Sequence, residues 1–572
     1  MKKKNIFFGF AASFMLLMSA CSHVLIIRDV YYKDKNGNVY YIQQDYESGK
    51  AYASFIGNTQ KISKLVIPSH IKNVPVTKLE LNTDSKRYKW DSVKTLVLGK
   101  NIENLRSNYS GTPFRNLEVF DMSRTKMTEY SNALTEGATK LKTVIFNDCI
   151  ETIKAYSFSG CSSLEMSSIP NSVTRIEDSA FSNCPLITSS LKLSDNLIYL
   201  GKAFDGTGII DSYYEPHDST ITLNTNSGAK CLISVGYNDF SYNLSTITIP
   251  GKIIGSCSFS SVLNSDYGDY SSCTISFPDA EIICSGAAYS ESYYDNEIQF
   301  NAININKAKY IGGYALRNLA TNSINLPATL KEIGENCFAY GLKTISVASN
   351  NPEFFADSGV LYHIGENGCE FVYIPDSYES ENLTINSTTR FINLLSYNNQ
   401  QFEKITIWTE TLESLKDDIK NNFYNLRTYA YAIKMSPSVP PSIRYVVESG
   451  SIIRNNTLLI SPSLHEENVM QTPGSATTIG SYSLMGQSQC TIQISRNVTT
   501  IEKEVFTRNW AINVYIPNNV ITIIGRLCES DDSYGIIIHI YIESGCNISG
   551  WSNDWNDGIY SENIYTNVTF DY

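Results

Sequence analysis

Hydrophobic residues recur along this chain with a long period, and four stretches show the period in full. They span residues 146–161, 169–184, 326–341 and 494–509. In each, an apolar residue opens the stretch, a second apolar residue follows seven positions later, and a phenylalanine follows twelve positions after the opener. The opener and the second residue are Phe146 and Ile153, Ile169 and Ile176, Leu326 and Ile333, and Ile494 and Ile501, and the phenylalanines are Phe158, Phe181, Phe338 and Phe506.

Short alternating segments precede these stretches. Examples are Leu141, Val144 and Phe146, then Leu244, Ile247 and Ile249, then Leu342, Ile345 and Val347. Alternation places such side chains on one face of a strand. A single unit of this size cannot enclose its own apolar edge, so neighbouring units must stack with their strands parallel.

Copies that open at 146, 169 and 193 give a repeat of about 23 residues, which lies within the leucine-rich-repeat range. The sequence therefore predicts a repeat solenoid, α/β or mainly β, of the leucine-rich-repeat type, with a parallel β-sheet on its concave side. Proline follows the strand at positions 68, 170, 250, 278, 327, 375 and 517. Because proline has no N–H to donate, we expect it to end strand pairing at a fixed corner of each coil.

Written as [IL]-P-x-x-[VL]-x-x-I-x-x-x-x-F-x-x-C, the pattern resembles that of the BspA-like leucine-rich-repeat surface proteins over most of residues 60–525. Segments 350–377 and 449–463 look like the β-hairpin insertions of that family, with bends at Gly365 to Gly368 and at Asn455-Asn456. Residues 526–572, with Trp551 and Trp555, are similar to its terminal cap. The resemblance implies a cell-surface binding protein or adhesin that recognises host or bacterial macromolecules.

The period also sets the predicted boundaries. Residues 1–20 form a lipoprotein signal peptide, 21–90 an N-terminal cap with a hairpin around Asn36-Gly37, 91–525 the solenoid, and 526–572 the C-terminal cap. Residues 210–243, 260–273 and 376–400 are rich in polar residues and predict loops or irregular coils. The spacing of Leu412, Leu415 and Ile419 fits a helix near 410–427, and a distorted repeat turn fits equally well.

An export signal opens the chain. Lys2 to Lys4 precede an apolar run from Ile6 to Met18, and Met18-Ser19-Ala20-Cys21 resembles a lipobox, in which the cysteine carries the lipid. An ordinary signal peptide cleaved near Ala20 is the alternative. Each buried acyl CH2 contributes about 0.8 kcal/mol, so two or three chains on Cys21 would hold the protein on a membrane. We therefore predict an outer-membrane lipoprotein displayed at the cell surface. The alternative is that it lies on the periplasmic face of the same membrane.

Net charge and the absence of known motifs limit the ligands and reactions that the sequence predicts. The formal charge is −12 and the sequence shows no basic stripe, which argues against nucleic acid as a partner. No H-E-x-x-H, G-x-S-x-G or P-loop motif occurs, so we expect no catalytic residues, no metal site and no cofactor. For the 12 cysteines after Cys21 we expect thiols rather than disulfides, with Cys149, Cys161, Cys184, Cys257 and Cys337 inside apolar repeat segments.

Tyrosine is the one feature of the composition that indicates binding. The chain has 38 tyrosines, including Tyr213-Tyr214, Tyr293-Tyr294 and the cluster Tyr424, Tyr429 and Tyr431. A stiff ring with a polar tip suits protein or sugar contact, although many of these side chains would equally fill repeat cores. We expect a protein or glycan ligand, and a membrane contact through the lipid anchor. The alternative function is a structural or glycan-capturing component of an outer-membrane uptake complex.

Overall fold

The computed structural model describes residues 30–44, 51–81, 90–107, 113–131, 134–210, 220–235, 245–263, 270–289, 297–396, 400–415, 419, 426–436, 438, 444–463, 468–529 and 537–570. The predicted signal peptide and Cys21 lie outside these residues. No helix within the described ranges has the length and apolar character needed to cross a bilayer.

The chain divides into two compact units. The first comprises Met1–Leu197 and Ala203–Tyr213, and the second Ile198–Lys202 and Tyr214–Tyr572. The strands of the first unit are short after an initial cap. They are β1 (Val30–Lys33), β2 (Asn38–Gln44), β3 (Ala51–Asn58), β4 (Lys64–Val66), β5 (His70–Ile71), β6 (Val74–Leu81), β7 (Thr95–Val97), β8 (Asn104–Ser107), β9 (Val119–Asp121), β10 (Glu129–Tyr130), β11 (Thr143–Ile145), β12 (Thr152–Ile153), β13 (Arg175–Ile176) and β14 (Lys192–Leu193), with a 3-10 turn at Trp90–Ser92.

The second unit continues the same pattern of short strands. They are β15 (Tyr199–Leu200), β16 (Ile221–Thr225), β17 (Lys230–Ser234), β18 (Thr246–Thr248), β19 (Ile253–Ile254), β20 (Tyr270–Ser276), β21 (Ile282–Ile283), β22 (Ile298–Asn304), β23 (Tyr310–Ile311), β24 (Leu319–Ala320), β25 (Ser323–Leu326), β26 (Glu332–Ile333), β27 (Thr344–Val347), β28 (Phe354–Asp357), β29 (Val360–Gly365), β30 (Gly368–Tyr373), β31 (Asn382–Thr384), β32 (Thr389–Ile392), β33 (Gln401–Phe402), β34 (Lys404–Trp408), β35 (Arg427–Thr428), β36 (Tyr431–Lys434), β37 (Tyr445–Glu448), β38 (Ser451–Arg454), β39 (Thr457–Ile460), β40 (Val469–Gln471), β41 (Thr478–Ile479), β42 (Thr491–Gln493), β43 (Thr500–Ile501), β44 (Ile512–Ile516), β45 (Thr522–Ile523), β46 (Ile538–Glu543) and β47 (Ile564–Val568). Its helical segments are α1 (Ser260–Leu263), α2 (Thr409–Leu415) and 3-10 turns at Ile548–Gly550 and Ser561–Asn563.

Pairing in the first unit starts antiparallel and becomes parallel. Strands β1, β2 and β3 form an antiparallel meander whose first turn contains Asn36 and Gly37, and β3 then pairs parallel to β6. Beyond the meander, β4, β7, β9 and β11 form a parallel ladder in which Leu65, Leu96, Phe120 and Val144 share a level. A second parallel ladder joins β10, β12 and β13.

Parallel ladders likewise build the second unit. One runs β17-β19-β21-β23-β26, another β18-β20-β22-β24, a third β39-β41-β43-β45 and a fourth β40-β42-β44-β46-β47. Two antiparallel insertions interrupt them, β28-β29-β30 and β37-β38-β39, with turns at Gly365 to Gly368 and at Asn455-Asn456. Each unit is thus a parallel β-solenoid, which confirms the fold class.

The repeating apolar positions form the core, as the period predicts. Phe158, Phe181, Phe338 and Phe506 are all at most 3% exposed. In the first unit Phe158 stacks on Phe181 at 5.5 Å between ring centroids, and Phe181 stacks on Phe204 at 5.7 Å. Strands also end before the predicted prolines; β44, for example, stops at Ile516 and Pro517 follows. Phe146 departs from the pattern, since it is only half-buried and packs edge-on against Phe158.

A left-handed residue recurs two positions before a buried phenylalanine or leucine. These residues have φ between 46° and 61° and are Tyr156, Ser179, Cys257, Tyr314, Asn336, Tyr482 and Glu504. In the first unit this turn lets the buried residue hydrogen-bond to the next coil, as when Phe158 N donates to Ala180 O at 2.8 Å. Glycine adopts this conformation most readily, yet none of these positions is glycine, so the turn leaves no glycine signal in the sequence.

Three expectations about individual segments need correction. The stretches 210–243, 260–273 and 376–400 contain regular strands, because β16, β17, β20, β31 and β32 fall within them or begin there. The helix predicted near 410–427 begins as expected at Thr409, but Arg427 already belongs to strand β35. Cys149 is exposed instead of buried, and it lies in a turn in which its backbone N–H bonds to the side chain of Asn147.

Candidate binding face

The predicted lipid attachment residue, Cys21, lies outside the described residues, so its role stays a prediction. The 12 later cysteines are free thiols, as expected, and eight of them are buried. Burial raises the pKa of Cys490 to about 11 and of Cys184 to about 12, which keeps both thiols protonated and unreactive at neutral pH.

The histidines give no metal centre in the part of the chain that the structure describes. Across those residues, no group of three or more His, Cys, Asp or Glu side chains is placed to hold an ion. His363 faces Glu370 at 3.5 Å, and His539 faces the phenol of Tyr565 at 3.1 Å. His23, His217 and His465 fall outside the described ranges.

The tyrosine clusters picked out by composition do not form a site in the described residues. Tyr213-Tyr214, Tyr293-Tyr294 and Tyr424 lie outside the described ranges. Tyr431 is 3% exposed and belongs to the core, whereas Tyr429 is 59% exposed. The tyrosines that do come together are others, in the sheet β40-β42-β44-β46-β47.

This sheet alternates between a buried and an outward set of side chains. Met470, Ile492, Val514 and Ile540 share a level and point inward, with at most 8% of each exposed. One position further along each strand, the paired residues point outward. They are Gln471, Gln493, Tyr515, Tyr541 and Tyr565.

The three tyrosines of this outward row stack ring on ring. Tyr515 and Tyr541 have centroids 4.6 Å apart with planes at 10°, and Tyr541 and Tyr565 have centroids 4.7 Å apart with planes at 11°. These distances match the spacing of neighbouring strands, about 4.8 Å, so the backbone ladder itself sets the stacking. His539, on the next outward row, lies 5.8 Å from the ring of Tyr565. We call Tyr515, Tyr541, Tyr565 and His539 the aromatic face.

Stacking decides which chemical groups the aromatic face offers. Parallel rings cover each other's faces, so ring edges and phenol oxygens are left for a ligand. Partial burial and the neighbouring phenols Tyr515 and Tyr565 raise the pKa of Tyr541, so the hydroxyl stays neutral and able both to donate and to accept. Phe570 packs edge-on against Tyr515 at 5.3 Å and holds that end of the row in place.

A bidentate ion pair fixes the strand ends beside the row. Arg496 donates to both carboxylate oxygens of Glu543 at 2.7 and 3.0 Å, and Glu543 also accepts from the backbone N–H of Asn518 at 2.8 Å. The hydrogen bond from Arg496 is the main reason that the pKa of Glu543 lies below its usual range. Three coils are thereby tied together at one edge of the aromatic face.

Sequence reasoning missed this row because its tyrosines are 26 and 24 residues apart and fall partly within the presumed cap. The sequence signal that they share is a tyrosine next to an isoleucine in consecutive strands: Tyr515 before Ile516, Tyr541 before Ile542, and Tyr565 after Ile564. Only the strand register shows that the three share one row.

A parallel β-solenoid whose coils repeat one set of buried rows defines a leucine-rich-repeat type of protein. A family model described as "BspA type Leucine rich repeat region" matches residues 82–210, 128–266, 269–358 and 463–547. These matches cover more than half of the chain. The protein therefore belongs to the BspA-type leucine-rich-repeat family, which confirms the resemblance.

Several solved structures align over most of their length at low identity. A leucine rich cell surface protein from Faecalibacterium prausnitzii is 14% identical, with 95% of this chain and 96% of the other covered and a TM-score of 0.20. The pneumococcal vaccine antigen PcpA is 14% identical, with 94% and 99% covered and a TM-score of 0.21. A leucine-rich repeat protein from Bacteroides ovatus is 14% identical, with 72% and 99% covered and a TM-score of 0.20. No curated protein sequence matches the chain.

Proposed function

We propose that this protein is an exported, lipid-anchored cell-surface binding protein, an adhesin that holds a protein partner through the aromatic face. Binding is by many simultaneous contacts, and no bond is made or broken. The observation that carries the proposal is the outward row Tyr515, Tyr541 and Tyr565 on an otherwise buried ladder. Tyrosine supplies a large, rigid contact area at low entropic cost and is enriched where proteins bind one another.

The geometry of the row favours a protein over a sugar. A sugar ring stacks on the open face of an aromatic ring, and here neighbouring rings cover both faces of Tyr541 and one face of Tyr515. Ring edges and hydroxyls suit a mixed surface of apolar side chains and backbone amides. Glycan capture in an uptake complex is therefore the outcome that would contradict this assignment.

The test replaces the central tyrosine. Tyr541→Thr places a β-branched residue, which strands favour, at the middle of the row and removes its ring, while Tyr429→Thr, at an exposed tyrosine outside the face, is the matched control. Binding of the full chain is measured to immobilised fibronectin, laminin and collagen and to a neutral glycan array. We expect Tyr541→Thr to weaken binding to a matrix protein by about 2 kcal/mol, as is typical of a hot-spot tyrosine, and Tyr429→Thr to leave it unchanged. Equal effects of the two variants, or binding to glycans alone, would overturn the proposal.

The anchor has its own test. Cys21→Ser removes the thiol that a lipid would modify, so we expect loss of fatty-acid labelling and release of the protein from the membrane fraction. Digestion of intact cells with protease then distinguishes display at the cell surface from the periplasmic face. Unchanged labelling and retention in the variant would show that Cys21 is not the attachment residue.

A further inference from the structure

A row of lysines runs along one ladder of the second unit, at the first residue of strand β17 and at the positions just before strands β19, β21, β23 and β26. Backbone hydrogen bonds connect the five positions in single file, each residue donating its N–H to the carbonyl of the one before at 2.7 to 2.8 Å. The residues are Lys230, Lys252, Glu281, Lys309 and Lys331. At about 4.8 Å per coil the row extends over about 19 Å.

Positive charge exceeds negative charge along this row. Lys309 bonds to Glu281 at 2.7 Å, Lys252 approaches the same carboxylate at 3.8 Å, and the adjoining Lys307 pairs with Asp279 at 2.9 Å. Among the described residues, Lys230 and Lys331 have no carboxylate at ion-pair distance. The hydrogen bond from Lys309 and the surrounding lysines keep the pKa of Glu281 below its usual range. The row and its neighbours thus contain five lysines and only three carboxylates, those of Asp279, Glu281 and Glu332, on a chain whose formal charge is −12.

One end of the row opens into a cleft of about 390 Å³, within the usual size range of ligand sites. Lys230, Lys252 and Lys307 line it together with Asp279, Glu281 and Gly251. Gly251 has φ of +125°, and a Cβ there would lie 3.2 Å from the backbone nitrogen of Leu232, so a larger residue would strain the wall of the cleft. The remaining lining residues are an alanine and a proline, so the cleft offers no apolar anchor and no aromatic ring.

From this arrangement we propose that the cleft and the lysine row bind a linear anionic polysaccharide, one that carries carboxylate or sulfate groups. The lysines supply mobile point charges that adapt to anionic oxygens of any geometry. Asp279 and Glu281 accept hydrogen bonds from sugar hydroxyls, which a purely basic groove would not offer. A peptide would need the apolar pocket that is missing, and a single-stranded nucleic acid would need rings on which its bases stack. This site does not depend on the aromatic face.

Replacing three lysines of the cleft by glutamine tests the site. Binding of heparin (sulfated), polygalacturonate (carboxylated), neutral dextran and poly-L-glutamate to the full chain is measured at low and at physiological salt. We compare wild type with Lys230→Gln/Lys252→Gln/Lys307→Gln and with the control Lys94→Gln/Lys140→Gln/Lys142→Gln, which removes the same charge from the first unit. We expect binding to at least one anionic polysaccharide that weakens with salt, at least about tenfold lower affinity in the cleft variant, and a change of about twofold or less in the control.

Three outcomes count against the proposal. Equal loss in the two triple variants would mean that only net charge matters. Poly-L-glutamate bound as tightly as the polysaccharides would reassign the row to acidic peptides, and wild type that binds no anionic polysaccharide would remove the site. If the triple variant folds poorly, Lys230→Gln alone, at an exposed side chain, is expected to lower affinity by about threefold. Binding to heparin but not to polygalacturonate, or the reverse, identifies the anionic group.

Discussion

Two parallel sheets of the second unit have inward-pointing rows of the same apolar character, but their outward-pointing rows differ. In β18-β20-β22, Ile247, Ile275 and Ile303 point inward, and in β42-β44-β46 the equivalent set is Ile492, Val514 and Ile540. Every one of these side chains is at most 5% exposed. We call the first sheet the polar sheet and the second the aromatic sheet.

Outward, the polar sheet carries the row Thr248, Ser276 and Asn304, where the aromatic sheet carries stacked tyrosines. The same inward rows thus support two different outward rows, so the two faces of a coil vary independently. Stacking of coils depends on the inward rows, because burial of apolar surface supplies the stability. The outward rows are then free to differ, so recognition chemistry is to be sought there.

The first prediction tests the inward row on which the comparison depends. Val514→Asp places a carboxylate in the core of the aromatic sheet, and Ile275→Asp does so in the polar sheet; we expect each to lower the free energy of unfolding by more than about 3 kcal/mol, because the charge has no partner. The outward neighbours Asn513→Asp and Thr274→Asp should cost about 0.5 kcal/mol or less. Urea denaturation of the four variants is the measurement, and similar losses for inward and outward sites would refute the alternation.

The sequence is informative about the inward rows and nearly silent about the outward ones. A buried position must be apolar in every coil, so Phe158, Phe181, Phe338 and Phe506 repeat at a fixed place and can be recognised in the sequence alone. An outward position can hold any residue, so only the register shows which ones meet. The number of residues per coil varies, so the register cannot be read from a fixed spacing. Tyr515 pairs with Tyr541 across 26 residues, whereas Thr478 pairs with Thr500 across 22.

Clusters of charge are equally hard to recognise from the sequence alone. Beyond Lys2 to Lys4 the chain has no run of three or more basic residues, and yet Lys230, Lys252, Lys309 and Lys331 come into one row, because stacking joins residues that are a coil apart. Cys149 was misplaced for a related reason. It lies between the apolar residues Phe146 and Ile150 in a stretch that matches the repeat, and yet it occupies an exposed turn in which its N–H bonds to the side chain of Asn147.

The second prediction concerns the ion pair at the edge of the aromatic sheet. Glu543→Gln removes the charge that accepts two bonds from Arg496 and one from Asn518. We expect a loss of about 1.5 to 3 kcal/mol at neutral pH, the range for hydrogen bonds to a charged group. Glu332→Gln, at an exposed glutamate in β26, is the control and should change stability little.

The pH dependence of this loss has a definite sign. The pKa of Glu543 is lower in the folded chain than its ordinary value of 4.5, so the unfolded chain binds more protons as the pH falls. The contribution of Glu543 is therefore complete above pH 4.5 and disappears as the pH drops through the folded-state pKa. The stability difference between wild type and Glu543→Gln should narrow over that interval, and a difference that stays constant would show that the carboxylate charge is not the cause.

The third and smallest effect is expected from moving the tyrosine row to the polar sheet. Thr248→Tyr/Ser276→Tyr/Asn304→Tyr places three rings on adjacent strands at outward positions, where tyrosine favours the strand and paired rings contribute up to about 1 kcal/mol each. We expect the free energy of unfolding to change by about 1 kcal/mol or less, and near-ultraviolet circular dichroism to gain a signal from ordered rings. The converse variant, Tyr515→Thr/Tyr541→Thr/Tyr565→Thr, should lose such a signal and keep the fold. If either exchange unfolds the protein, the outward rows contribute to coil stacking. The idea that the two faces of a coil vary independently would then be wrong.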